Sequence, residues 1–462
     1  MSDRTAALAA AVRELMPRAK TELAELVSFR SVADFRQFPP EESAKAADWV
    51  ADALRGEGFP DVRLLDTPDG TQSVYGYLPG PAGAPTVLLY AHYDVQPPLD
   101  EAAWTTPPFE LTDGPDGRWY GRGSADCKGG ILMHLTALRT LRGQYGDGPL
   151  PVGIKFIAEG SEETGTGGLE EYVKANPGLL TADAVLVGDT GNFATGLPTA
   201  TTTLRGMAMA EITVTGLAGN LHSGQFGGAA PDALAGLIRI LDGLRDAEGS
   251  TTVDGLPNNQ VWDGVQYSEE AFRADAKTVE GTRLIGTGTV SDRVWARPAV
   301  TVLGIDCPPV IGATPSVQAS AKALVSLRVP PGMDAAGAQQ ALVDHLSKPA
   351  PWGLRVEVEP GGSGEAFRAR TDGPAYRALG EAMFESYGTE MVAAGMGGSI
   401  PLTNVLQQTY PDAEIVLIGM SDPAAQIHAL DESVSPEELQ RMSLGVALFL
   451  EKFGAAAGNA AA

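Results

Sequence analysis

The chain has 462 residues, 44% of them hydrophobic and 20% charged, which suits two or three folded domains with a substantial core and excludes a single small module or a disordered polymer. Its 33 basic residues against 58 acidic ones give a formal charge of -25. That balance repels nucleic-acid phosphates and anionic membrane surfaces, so neither is expected as a partner.

The two cysteines, Cys127 and Cys307, give no disulfide framework and fit a reducing compartment, with the cytoplasm as the expected location. The opening MSDRTAALAAAVRELM has the periodicity of an amphipathic helix rather than a secretion signal. No apolar run is long enough to span a bilayer, and no repeat recurs at solenoid or propeller spacing.

In chain order, apolar residues at helical spacing predict helices over about 5–29 and 41–56. Ser73 to Leu78 and Thr86 to Ala91 read as strands, the second apolar enough to be buried on both faces. It ends in AHYDVQP, which puts His92 and Asp94 where open α/β sheets build their sites. WYGRGSADCKGG then places Asp126 just before an apolar helix. Val152 to Ala158 is the next strand and leads into EGSEETG, with Glu162 and Glu163. Ala184 to Val187 leads into Asp189, and Glu414 to Ile418 leads towards His428. The tail GAAAGNAAA, 454–462, is expected to fray.

Between these parts the order is β-α-β-β-α-β: strand 208–214, helix 231–245, strands 299–303 and 319–329, helix 335–346 and strand 354–358. This is the split ferredoxin-like arrangement. The expected fold class is therefore α/β, a mixed, mostly parallel sheet flanked by helices, made by residues 1–203 and 372–462. An inserted α+β domain covers 204–371 and carries a mostly helical excursion over about 249–297.

Successive side chains on an extended backbone face opposite ways. On that basis one of Glu162 and Glu163 holds a cation while the other faces the water it activates, although a solvated Glu-Glu pair is the commoner meaning of two adjacent acids. Imidazole and carboxylate are both good zinc ligands, and a carboxylate can bridge two ions about 3.5 to 4 Å apart. His92, Asp126, Glu163, Asp189 and His428 suffice for such a pair if Asp126 bridges.

The motifs AHYDVQP, GRGSADCKGG, EGSEETG, VGDTG, NLHSGQFGG, SLRVP, GGSIP and IHALDE resemble, in order, those of the di-zinc amidohydrolases. That family includes carnosinase-like cytosolic dipeptidases, carboxypeptidase G, acetylornithine deacetylase and succinyl-diaminopimelate desuccinylase. The resemblance implies that His92 and Asp189 hold one zinc, Glu163 and His428 hold the other, and Asp126 bridges, with manganese or cobalt as alternative ions. It makes Glu162 the general base and Asp94 the residue that orients His92. It makes the inserted domain a lid and dimerisation domain, the protein a homodimer, and His222 a donor to the oxyanion in the partner's site, against the plainer reading of a loop histidine. Arg328 would clamp a substrate carboxylate, a structural salt bridge being the alternative, and Gly398 and Ser399 would bind substrate near the metals.

Several positions depart from the family pattern. Cys127 stands where relatives usually carry Asp or Met, Gly395 and Met396 replace the Arg-Glu of carnosinase, and Asp431 replaces Asn. Pro315, flanked by Thr314 and Ser316, replaces a hydroxyl. His134 and His345 receive no role. The implied activity is hydrolysis of a dipeptide or small peptide. An N-acyl amino acid deacylase is the alternative, and a non-catalytic binding protein on the same fold is a remote one.

Overall fold

The computed structural model describes residues 2–146, 148–398 and 400–460. They form two compact units. One comprises the chain up to Thr202 with Ala369–Ala394 and the residues from Pro401 onward; the other is Thr203–Arg368 with Gly395–Ile400.

The first unit is built on a mixed sheet whose neighbouring strands are, in order, Asp61–Asp66, Gln72–Leu78, Gly153–Glu159, Thr86–His92, Ala184–Val187 and Glu414–Leu417. Pairing is antiparallel at the first two junctions, parallel at the next three, and antiparallel again where the sheet continues from Glu414–Leu417 to Thr199–Leu204 and from there to Phe367–Arg368, so the sheet is mixed rather than mostly parallel. Val87 to His92 and all of Ala184–Val187 are buried, as expected of strands covered on both faces. Helices Asp3–Ser28, Lys128–Tyr145, Pro374–Tyr387 and Pro436–Ala460 pack against one another, and their apolar stripes join the strands in one core. Parallel strands all exit at one edge, so this topology gathers the loops after His92, Glu159, Val187 and Leu417. Gly419 lets two of those loops meet, since a Cβ there would lie 1.6 Å from the Thr190 carbonyl oxygen.

The second unit has a four-stranded antiparallel sheet in the order Ala299–Asp306, Ser320–Val329, Gly206–Thr215, Arg355–Gly364. Ala208, Ala210, Ile212 and Val214 alternate with less buried neighbours and share a core with Leu237 of helix Ala233–Asp242 and Leu342 of helix Ala335–Leu346. Strands and helices follow one another as β-α-β-β-α-β.

Three local expectations are corrected. The excursion 249–297 is mostly irregular, with one short helix, Glu269–Asp275, and a π-turn, Asp292–Ala296. It is held by aromatic packing of Trp295 on Trp262 and Tyr267 rather than by helix periodicity. Glu162 and Glu163 lie on a 3-10 turn, Glu162–Thr164, not on extended backbone. The final helix runs to Ala460 instead of fraying from Gly454, and the last two residues of the expected frayed tail, 461–462, lie outside the described residues.

Candidate metal centre

His92 closes its strand fully buried, with its Nδ1 3.0 Å from the Asp94 carbonyl oxygen. A carbonyl only accepts, so Nδ1 carries the hydrogen and Nε2 keeps a lone pair. That Nε2 lies 3.0 Å from Asp126 Oδ1 and 3.1 Å from Asp189 Oδ1. His428 Nε2 is 3.0 Å from the other Asp126 oxygen, Oδ2, and 3.0 Å from Glu163 Oε2. Asp126 thus turns one oxygen to each imidazole.

A lone pair facing two carboxylate oxygens is repulsive unless a cation lies between them. Without a metal that cation is a proton. Burial opposes charge on His92, but Asp189 and Asp126 outweigh it and hold its pKa well above the ordinary value. Hydrogen bonds to Asp126 and Glu163 raise His428 to about 10. Burial and the charge of Asp189 push Glu162 up to about 10, and burial lifts Asp189 to about 6. The Glu163 Oε1 atom is buried without a hydrogen-bond partner among the described residues. Two imidazoles and three carboxylates crowded in this way fit a pair of divalent cations, with charge and donor types that suit zinc.

The supports of these side chains come from backbone geometry. Asp94, also fully buried, accepts the N–H of Glu162 at 3.2 Å and of Glu163 at 3.1 Å, so it fixes the acidic turn as well as facing His92. Gln96 donates to Glu163 Oε2 at 2.9 Å. Gln426, His428 and Asp431 all have positive φ, a conformation that non-glycine residues adopt rarely and mostly at strained functional segments. Asp431 is pinned by the N–H and hydroxyl of Thr105, at 2.7 and 2.9 Å, which accounts for a carboxylate at that position. Cys127 is buried, donates to the Gly188 carbonyl at 3.2 Å, and burial pushes its thiol well up, so it is a poor ligand.

Sequence reasoning missed Glu432 and Arg122. Glu432 is fully buried. It accepts the N–H groups of Gly123, Ala125 and Asp126, each at 3.0 Å, and a 2.7 Å bond from Arg122. Both residues sit inside quoted motifs, and the signal available was a pair of opposite charges there to which no role had been given.

The remaining expected site residues belong to the second unit. His222 is exposed, and its Nδ1 accepts the Gly224 N–H at 3.1 Å, which leaves Nε2 as the N–H donor. Arg328 lies on a strand opposite Met207 and Ala299, and no carboxylate among the described residues pairs with it. A Cβ on Gly395 would come within 2.6 Å of Trp295, which explains why a large side chain is not accommodated there. Gly398 lies in the loop that follows, and Ser399 falls outside the described residues.

A mixed α/β sheet whose strand exits converge imidazoles and carboxylates on one cation-binding cluster defines a metal-dependent hydrolase. The model of peptidase family M20/M25/M40 matches residues 88–452. The cysteinylglycine-S-conjugate dipeptidase of Corynebacterium striatum is 44% identical over 437 residues, covering 94% of this chain and 95% of that protein. A Cys-Gly metallodipeptidase of Schizosaccharomyces pombe is 29% identical over 384 residues, 79% of this chain and 78% of that one. In fold, the dipeptidase Dug1p of Saccharomyces cerevisiae superposes with a TM-score of 0.80 at 22% identity, over 98% of this chain and 99% of that one. The chain belongs to peptidase family M20/M25/M40. It is a metallopeptidase that hydrolyses dipeptides.

Proposed function

We propose that the substrates are dipeptides with cysteine or an S-substituted cysteine before a carboxyl-terminal glycine. The observation that carries this reading is 44% identity, over nearly the whole of both chains, to a cysteinylglycine-S-conjugate dipeptidase. His92 and Asp189 would hold one zinc ion, Glu163 and His428 the other, and Asp126 both. Ions bound there supply Lewis acidity that polarises the scissile carbonyl and makes a water easier to deprotonate.

Glu162 takes a proton from the attacking water as its oxygen adds to the carbonyl carbon, and returns that proton to the amine nitrogen as the C–N bond breaks. Its carboxyl is too basic when the cluster is unneutralised, and positive charge beside it lowers it towards the working range. Asp94 keeps Glu162 aimed by holding its N–H. His222, with its hydrogen on Nε2, suits donation to a developing oxyanion, and Arg328, Gly398 and Ser399 bind the substrate's carboxyl-terminal half.

The protein acts as a homodimer in the cytoplasm. Support for the dimer comes from the edge strand Ala299–Asp306, which exposes Val302, Leu303 and Ile305, and from the hairpin tip, where Val310 and Ile311 are 94% and 91% exposed. Support for the location comes from two unpaired cysteines, one of them exposed. Among the described residues no helix is long and apolar enough to cross a membrane.

The test is metal-loaded enzyme assayed on Cys-Gly, S-benzyl-Cys-Gly and N-acetylglycine, with Glu162→Gln in parallel. Expected are turnover of both dipeptides, little of N-acetylglycine, and a loss of at least about 10²-fold in the variant with its metals retained. Faster cleavage of N-acetylglycine overturns the substrate class, and near-normal turnover by Glu162→Gln overturns the base.

A further inference from the structure

Four guanidinium groups, from Arg205, Arg245, Arg293 and Arg297, line one cavity of about 270 Å³ in the second unit, and no carboxylate lines it. In a chain of net charge -25, that concentration of positive charge needs a reason. Three of the four arginines are spent mainly on backbone carbonyls. Arg245 donates to Gly249 and Val300, Arg293 to Thr289 and Ile285, and Arg297 to Gln260 and Thr287. Carbonyls satisfy hydrogen bonds without neutralising charge. The carboxylates nearest these groups, Glu269 at 3.4 Å from Arg293 and Asp292 at 3.7 Å from Arg297, leave the set in excess.

Arg205 has no such support, since its Nε and Nη1 are buried without a partner among the described residues. Ser250, which lines the same cavity, has a buried Oγ in the same condition. Burial, then the nearby Arg328, brings Arg205 down to about 10, so it stays charged at neutral pH. A buried, unpaired guanidinium is costly unless an anion meets it. Phe272, Leu284 and Val290 add apolar surface to the lining, beside the polar Thr251, Asn258 and Thr287.

We propose that this cavity binds a small organic carboxylate with an apolar body, its anionic end held by Arg205 and Ser250; its lining includes neither Arg328 nor any residue of the metal centre. The volume lies near the lower end of small-molecule sites, which suits one carboxylate and one apolar group.

The probe is 4-phenylbutyrate, titrated calorimetrically into the metal-loaded protein, with neutral 4-phenylbutyramide as the control. One saturable binding event is expected, at least about tenfold weaker for the amide and for Arg205→Met, the loss typical of a charge-assisted contact. Ile285 lines the cavity and is 57% exposed, so Ile285→Glu places a competing carboxylate near the guanidinium groups at a position with room at the surface. It should weaken the same event by a similar factor even if Arg205→Met fails to fold, whereas Arg328→Met should keep it. The proposal is overturned if no event sensitive to Ile285→Glu appears by about 10 mM probe, if a folded Arg205→Met leaves the event unchanged, or if Arg328→Met weakens it equally.

Discussion

Glu432 accepts the backbone N–H of Asp126 at 3.0 Å, so an acid 306 residues away in sequence sets the direction of the carboxylate that faces both imidazoles. The same Glu432 carboxylate neutralises the buried Arg122. Glu432→Gln keeps the shape but removes that charge and one acceptor. Metal affinity, measured by chelator competition, should fall about 10- to 100-fold, as for other residues that orient ligands. Thermal unfolding should report a loss of about 3 kcal/mol from the uncompensated Arg122. Unchanged affinity with lowered stability would mean that Glu432 serves the fold alone.

Among the described residues, Asp126 is the one carboxylate with an oxygen within salt-bridge distance of both His92 and His428. Elemental analysis should find about two metal ions per wild-type chain. Asp126→Ala should lose both and Asp189→Ala mainly one. Full metal content in Asp126→Ala would remove it from the ligand set.

His134 is a pH liability with no part in the chemistry. It is fully buried, its Nε2 3.1 Å from the Tyr90 carbonyl oxygen, and burial pushes its pKa down to about 4. Unfolded, it titrates near 6.5, so below that pH the unfolded chain binds a proton that the native one refuses. Its contribution is complete above about 6.5 and is lost as pH falls towards 4, reaching about 3 kcal/mol there. His134→Gln should flatten the stability profile between pH 6.5 and 4 in denaturant titrations. Parallel profiles for the two proteins would refute this.

If His222 completes the site of a partner chain, inactive Glu162→Gln and inactive His222→Ala chains should complement each other. Each mixed dimer then has one site lacking both groups and one intact, so about half of its sites regain activity. Mixed dimers confirmed by mass spectrometry that show no recovery would confine His222 to its own chain or to no role.

The inner strands of the sheet were legible because they declare themselves: VLLYA within Thr86–His92 and AVLV are apolar throughout, and a metal-competent side chain follows each parallel exit; the strand Asp61–Asp66, DVRLLD, was not read because charges interrupt it. The acidic turn was misjudged in conformation because Asp94 draws in two successive N–H groups, and nothing in EGSEETG announces that acceptor. Glu432 was invisible for a related reason. Its partners are main-chain hydrogens of a loop far away in sequence, and backbone groups leave no residue type to read. The excursion 249–297 defeated periodicity because aromatic contacts and arginine-to-carbonyl bonds replace regular ladders there.

Strand Glu414–Leu417 pairs in parallel with Ala184–Val187, and His428 and Glu432 follow it. During synthesis, the ribosome must therefore deliver the whole second unit before the first can close its sheet. Until then the Ala184–Val187 edge offers unsatisfied amides and four apolar side chains to whatever meets the nascent chain. A translation pause after residue 368 would prolong that exposure, and a message truncated before Glu414 would yield a chaperone client rather than a weak enzyme.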